Sequence, residues 1–302
     1  MNEFQLIQHH FKQAALSFPH PLVVDSIGDD CAEMTLSPGH HLHISIDTLV
    51  EDVHFPKHAN PYDIATRALC VSLSDLAAAG ATPIAFTLAI TLPKADNEWL
   101  AKFSEGLAYV AQKYNCPLIG GDTTKGDALI ITLQVHGECP QGESLKRRGA
   151  KVGHKVYVSG PLGDAAGALQ QVLENPLYKD GLAKHYYLPL PEIEFAKTIV
   201  KTASSCLDIS DGLIQDLNHI CTASQVGMHI YSKNIPMSDL LIQTVGQDSA
   251  LQFALSGGDD YRLAYTSANC DKGICIGEVV IGDQVLVDGK VMSAKGFQHF
   301  CS

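Results

Sequence analysis

Alternating apolar and polar residues repeatedly give way to apolar residues spaced three and four apart, and this happens in both halves of the chain. Period 2 belongs to strands and period 3.6 to helices, so a chain that keeps switching between them must fold as α/β or α+β. In the first half, Leu42 to Asp47 (LHISID) and Leu129 to His136 (LIITLQVH) read as strands. Asp63 to Gly80 reads as a helix capped after Pro61, and Asn97 to Tyr114 as another, with Leu100, Phe103, Leu107, Val110 and Tyr114 on one face. In the second half, KVYVS, MHIY, RLAYT and ICIGEVV read as strands, and Ala165 to Leu173, Glu192 to Ala203 and Gly212 to Ala223 as helices. A polar, glycine-bearing stretch from Gly142 to Gly153 (GESLKRRGAKVG) marks the seam. Two domains are expected, 1–146 and 147–302, since 302 residues at 46% hydrophobic content can bury two cores. No internal repeat or low-complexity segment is evident, so function must lie in individual motifs.

Charge narrows the partners. A formal net charge of -12 disfavours a partner held by neutralising phosphates, so nucleic acid is not expected and cations are. The longest apolar stretch, Ala81 to Leu92, is too short to cross a bilayer, and no membrane partner is expected. The start, MNEFQLIQHHF, has neither a basic region nor a small-residue cleavage site, which suggests a cytoplasmic protein. Nine cysteines without a CxxC pair read as free thiols.

Six times an apolar stretch meets glycine, serine or threonine beside an aspartate. These are SIGDDC (26–31), SIDT (45–48), SLSDLAAAG (72–80), IGGDTT (119–124), LDISDGL (207–213) and SGGDDY (256–261). One such aspartate is ordinarily a helix cap or turn former. Six together pose a charge problem: two carboxylates ~4 Å apart repel by about 4 kcal/mol at an effective dielectric of 20. Converging on one cleft they would need cations, and hard oxygen donors without histidine or cysteine at ligand spacing point to magnesium. His40, His41 and His43 cluster on a turn and strand edge and read as surface residues. Glycines beside the aspartates suit backbone approach to phosphate, and phosphate with magnesium implies a nucleotide. No GxxxxGK[ST] or protein-kinase signature occurs. SGPLGDAAGAL (159–169) follows a strand and opens a helix, and fits either a phosphate loop or a plain structural corner.

From SLSDLAAAGATP through IGGDTT, RRGAK and LDISDGL to SGGDDY, the chain resembles the thiamine-monophosphate kinase family, over almost its whole length. The resemblance implies the aminoimidazole ribonucleotide synthetase-like fold, in which an N-terminal α/β domain dimerises through its sheet and a C-terminal α/β domain flanks the nucleotide cleft. It implies a homodimer that uses ATP and several Mg2+ ions to convert thiamine monophosphate to thiamine diphosphate by direct in-line transfer of the γ-phosphate. Asp30, Ser45, Asp47, Asp75, Asp122, Asp208 and Asp211 fall on the family's magnesium ligands. Gly121, Asp122, Arg147 and Ser210 fall on ATP-contacting positions, and His54, Asp259 and Phe297 on positions that contact the thiamine phosphate.

The chain departs from the family pattern in places. Ile46 replaces a hydroxyl residue beside Asp47, leaving only its carbonyl for a metal; Asp259 stands where glutamate is usual, one methylene shorter; and His154 replaces an aspartate in a turn read as structural. An acceptor that is already a phosphate dianion needs no general base, so none is expected. Positioning and electrostatic stabilisation would carry phosphoryl transfer, with Arg147 as a guanidinium donor to the nucleotide. The alternatives are another member of the superfamily acting on a different phosphorylated metabolite, and a non-catalytic nucleotide-binding regulator.

Overall fold

The computed structural model describes residues 3–178 and 181–292. Two compact units make up the chain: one joins the chain up to Leu76 with Ala81–Gly142 and Val172–Leu177, and the other joins Ala77–Gly80, Glu143–Gln171 and the chain from Tyr178 onward.

The first unit runs α1 (Glu3–Leu6), β1 (Val23–Asp25), β2 (Glu33–Met34), β3 (His40–Val50), α2 (Pro61–Ala79, its last turn belonging to the second unit), β4 (Thr82–Leu92), α3 (Asn97–Lys113), β5 (Leu118–Lys125) and β6 (Ile130–Pro140). Its four-stranded sheet has the order β3-β6-β4-β5, with β4 and β5 parallel and the other pairs antiparallel. Thr82–Leu92, notable in the sequence only for being too short to cross a membrane, is a central strand, and its near-continuous apolar run reflects burial on both faces. Pro83 is tolerated there because the register with β6 shifts between Pro83 and Ala85. Helix α3 starts where the sequence predicts: the Asp96 carboxylate accepts from the Glu98 and Trp99 amides, both at 3.1 Å. Such a cap contributes about 1 kcal/mol. Leu100, Phe103, Leu107 and Val110 are its buried face. The β1–β2 pair lies on the sheet through Leu22, Val23 and Met34, packed against Ile84, Ala85 and Ile119.

The second unit runs β7 (Lys155–Val158), α4 (Asp164–Glu174), α5 (Ala183–Tyr187), α6 (Ile193–Ile199), β8 (Ala203–Asp208), α7 (Leu213–Ser224), β9 (Gly227–Ile230), α8 (Asp239–Val245), α9 (Gln247–Ser256), β10 (Leu263–Ser267), β11 (Ile274–Val280), β12 (Val285–Val287) and β13 (Lys290–Val291). The sheet order is β13-β12-β9-β11-β7-β10-β8. Leu213, Ile214, Leu217 and Ile220 of α7 enter one core with Val156, Val158, Met228, Ala264 and Ile276 from the strands.

The expected helix Glu192 to Ala203 is corrected. It ends at Ile199, where the Thr202 amide and hydroxyl both donate to the Ile199 carbonyl, and Ala203 already begins β8. No glycine or proline separates helix from strand there, so the break carries no sequence signal.

Candidate active site

Three of the six aspartate motifs lie in regular elements, two of them in the strand and the helix the sequence predicts. SIDT lies within β3, SLSDLAAAG begins well inside α2, and IGGDTT lies within β5. The other three sit in loops or at element ends.

In the first unit, Ser45 and Asp47 are two apart on β3 and so share a face, which α2 meets with Asp75. The Ser45 hydroxyl donates to Asp75 Oδ2. Asp47 Oδ2 is buried with no hydrogen-bond partner. Burial pushes the Asp47 pKa up to about 6; the Asp75 carboxylate adds to the rise and a hydrogen bond from Ser72 opposes it. These are hard oxygen donors with one orphaned carboxylate oxygen, a set that fits a hard divalent cation such as magnesium. Ile46 points to the opposite face and is 58% exposed, so its departure from the family pattern leaves the Ser45 and Asp47 side chains in place.

Asp122 is exposed on β5, opposite Ala89, and its carboxylate accepts from the Thr123 amide at 2.9 Å. Gly121 is fixed by packing: a Cβ there would lie 1.9 Å from the Leu88 carbonyl oxygen. Asp30, in the β1–β2 loop, is also exposed, and its amide bonds to the Asp29 carboxylate at 2.7 Å. His54 follows β3. Its amide donates to the Val50 carbonyl at 2.9 Å while its Nδ1 accepts from the Val50 amide at 3.0 Å.

In the second unit, Asp208 ends β8, buried, and Ser210 and Asp211 lead into α7. A residue the sequence reading missed organises them: Asp216, on the first turn of α7, accepts through Oδ2 from the amides of Ser210 (3.0 Å), Asp211 (3.1 Å) and Gly212 (3.1 Å). Burial pushes Asp216 up to about 7, helped by Asp211 and Asp208 and opposed by the amides. Asp211, Asp216 and His219 also place ligand-capable atoms within 4.8 Å of one another.

SGGDDY folds back on this turn. The Asp259 amide donates to the Ser210 carbonyl at 2.9 Å and the Tyr261 amide to the Ile209 carbonyl at 2.8 Å. A Cβ on Gly258 would approach the Ser210 oxygen to 2.4 Å, so only glycine permits that contact. The Asp259 carboxylate accepts from the Tyr261 hydroxyl at 3.2 Å. It lines a cavity of about 330 Å³ with Asp164, His185, Leu188, Asp260 and Arg262. In that cavity Asp164 pairs with His185 at 3.5 Å, and Arg262 pairs with Glu192.

In SGPLGDAAGAL the Gly163 amide donates to both Asp260 oxygens (2.8 and 3.0 Å), the Leu162 amide to Pro236, and the Ser159 amide to Leu263, so these three amides are used within the chain. Arg147 is exposed, in a turn strapped to the end of α7 by Ser224, whose hydroxyl accepts from the Gly149 and Ala150 amides. His154 bonds through Nδ1 to the Ser204 hydroxyl at 2.7 Å, a structural role. Phe297 lies outside the described residues. The structure thus gathers Ser45, Asp47 and Asp75 in one unit, and Asp208, Ser210, Asp211 and Asp259 in the other.

Residues 28–139 match the family described as AIR synthase related protein, N-terminal domain. The chain is 40% identical over 324 residues to thiamine-monophosphate kinase of Salmonella typhimurium, covering 99% of this chain and 98% of that protein. The chain belongs to the thiamine-monophosphate kinase family. Among solved members, thiamine-monophosphate kinase from Stenotrophomonas maltophilia superposes with a TM-score of 0.84 at 35% identity, covering 89% of this chain and 92% of that one. The structure of AaThiL complexed with AMPPCP and TMP gives 0.82 at 31% identity, covering 88% and 89%. The hydrogenase maturation protein HypE shares the fold at 18% identity and a TM-score of 0.76. The fold is therefore the one the resemblance implies.

Proposed function

We propose that this protein phosphorylates thiamine monophosphate to thiamine diphosphate with ATP. The carrying observation is likeness along almost the entire chain to thiamine-monophosphate kinases, one of them solved with an ATP analogue and TMP. The aspartates that the family resemblance assigns to magnesium are present in both units of this chain.

Asp47, Asp75 and Ser45, with Asp30 and Asp122, would hold magnesium from the first unit, and Asp208 and Asp211 from the second. Magnesium ions would supply charge neutralisation between the two phosphate-bearing substrates and polarise the transferring phosphoryl group. The orphaned Asp47 Oδ2 supports this, because a buried carboxylate oxygen without a donor is costly unless a cation meets it. The acceptor phosphate is already a dianion, so no side chain need remove a proton. Arg147 would donate to the nucleotide phosphates, and Gly121, Asp122 and Ser210 would line the ATP site. His54 would donate to the acceptor. Asp259 would face its thiamine moiety; the cavity it lines also carries Asp164, Asp260, Lys184, Arg262 and Leu188.

A homodimer through the first unit's sheet is part of this reading. Leu42, Ile44 and Ile46 leave an apolar row 42%, 54% and 58% exposed along edge strand β3. Among the described residues no helix is long and apolar enough to cross a membrane. The deciding experiment is ADP release from ATP and Mg2+ on adding thiamine monophosphate. Turnover with it and not with other phosphorylated metabolites is expected; ATP binding without turnover would leave a regulator as the better reading.

A further inference from the structure

Asp164, which SGPLGDAAGAL places on the first turn of α4, is 7% exposed and lines the cavity of about 330 Å³ in the second unit. Most polar groups of that wall are already answered. Arg262 pairs with Glu192, both Asp260 oxygens accept from the Gly163 amide, Asp259 accepts from the Tyr261 hydroxyl, and Lys184 is exposed to solvent. Asp164 is answered on one side only. Its Oδ1 accepts from the Ser238 hydroxyl at 2.6 Å, and Ser238 is itself fixed because its oxygen accepts from the Leu241 amide at 3.0 Å. Among the described residues its Oδ2 meets only His185 Nε2, at 3.5 Å, which is longer than a settled N–H···O hydrogen bond. Burial pushes the His185 pKa down, and Lys184 and Arg262 add to this against Asp164, so at neutral pH the ring carries no charge to set against the carboxylate.

The outcome is a fixed acceptor group, its side chain 10% exposed, on the wall of a cavity and without a close donor for one oxygen. A buried carboxylate oxygen in that state calls for a donor from a ligand. Pro161, Ala165 and Leu188 add apolar wall, and the volume lies at the lower end of the ~300 to 1,000 Å³ of small-molecule sites. Of the two rings of thiamine monophosphate, the thiazolium carries no N–H, whereas the pyrimidine carries an exocyclic amino group. Only the second can answer Asp164.

We propose that Asp164 is a specificity-determining residue for the acceptor, its Oδ2 accepting a hydrogen bond from the amino group of the acceptor's pyrimidine. The inference rests on the reading of thiamine monophosphate as the acceptor, with Asp259 of the same cavity beside its thiamine moiety. The amino group is what distinguishes this ring from its oxo counterpart, which presents carbonyl lone pairs to the same carboxylate and is repelled.

The test is the ratio of kcat/KM for thiamine monophosphate to that for oxythiamine monophosphate, in which an oxo group replaces the amino group. It is measured on the full-length wild type, Asp164→Asn and Asp164→Ser. Wild type should favour the amino substrate by roughly 30-fold or more, as for a lost hydrogen bond to a charged group that leaves two acceptors opposed. Asp164→Asn keeps an oxygen for Ser238 and can turn its amide N–H to the oxo group, so it should bring the ratio to within about threefold of unity. Asp164→Ser should do likewise by shortening and discharging the acceptor. The ATP KM should stay unchanged in both. A merely structural role would instead slow both substrates alike and leave the ratio where it was. A wild-type ratio near unity overturns the proposal without recourse to any variant, and so does a ratio that survives both substitutions. If wild type turns over neither compound, the substrate reading itself fails and this proposal falls with it; turnover of both at equal rates removes the amino contact alone.

Discussion

Replacing Asp47 by asparagine should make the metal-free protein more stable while removing most of its activity. In the fold the carboxyl titrates at about 6 instead of 3.8, because it is buried and faces Asp75. A carboxyl whose pKa is raised on folding keeps its proton longer in the native state, so stability is full below the unfolded pKa and is lost as pH climbs through the folded one. The shift of 6 - 3.8 = 2.2 corresponds, at about 1.36 kcal/mol per pKa unit, to about 3 kcal/mol of destabilisation at neutral pH. Asparagine keeps an acceptor for Ser72 and carries no charge, so it should recover most of that. For a unit of this size this is a rise of about 5 to 10 °C in Tm. The assay is thermal unfolding in chelator at pH 7.5, pH 5 and pH 4. The gap between variant and wild type should be widest at pH 7.5, about half as large at pH 5 and nearly closed at pH 4. Added magnesium should reverse the order by stabilising the wild type more than the variant. A variant that melts below the wild type in chelator at pH 7.5 would refute the reasoning and make Asp47 a structural acceptor.

Asp216→Ala should lower stability by about 2 to 4 kcal/mol in denaturant titrations at pH 4, where almost no charge is relieved, because three backbone amides lose their acceptor, and the loss should shrink at neutral pH as removal of a carboxyl raised to about 7 offsets it. Turnover at fixed ATP should keep rising as magnesium is added beyond a one-to-one ratio, and a plateau at that ratio would count against ions additional to the one carried by ATP. Phe297→Ala should raise the acceptor KM roughly tenfold with the ATP KM unchanged, as expected for about 1 to 2 kcal/mol of cation–π contact with a thiazolium. Unphosphorylated thiamine should be inert as acceptor, and its phosphorylation at the rate of the monophosphate would overturn the substrate assignment.

Most long elements were legible because their periodicity is a direct image of burial. Helix α3 shows its stripe and its end at Tyr114, and β3 and β6 show their alternation. What escaped lacked that contrast. Thr82–Leu92 is buried on both faces, so it has no alternation to read, and β5 interrupts its pattern with two glycines, one of which is demanded by the Leu88 carbonyl. Asp75 falls inside the helix read from Asp63 to Gly80, but its motif carries small and polar residues, and only the structure shows that Ser72 and Ser74 are fully buried inside α2. Small residues there allow close packing on the helix, a demand that looks the same in sequence as a turn.

The aspartates show most clearly where sequence reasoning reaches its limit. Asp47, Asp216 and Asp260 all stand near small residues, and all are pushed to higher pKa by burial first. What separates them is the partner that folding supplies. Asp216 meets three amides and Asp260 meets the Gly163 amide with both oxygens, so each is answered from within the chain. Asp47 keeps one buried oxygen with no donor. A carboxylate answered by amides organises a loop, whereas one with an oxygen left unanswered beside a second carboxylate destabilises the fold until a cation meets it. Spacing along the chain cannot reveal this difference, because the amides that satisfy Asp216 lie upstream of it on a turn whose shape only the folded chain defines. The contrast between Asp47→Asn and Asp216→Ala is therefore a test of kind as well as magnitude: charge removal should help the fold at the first position, and acceptor removal should harm it at the second.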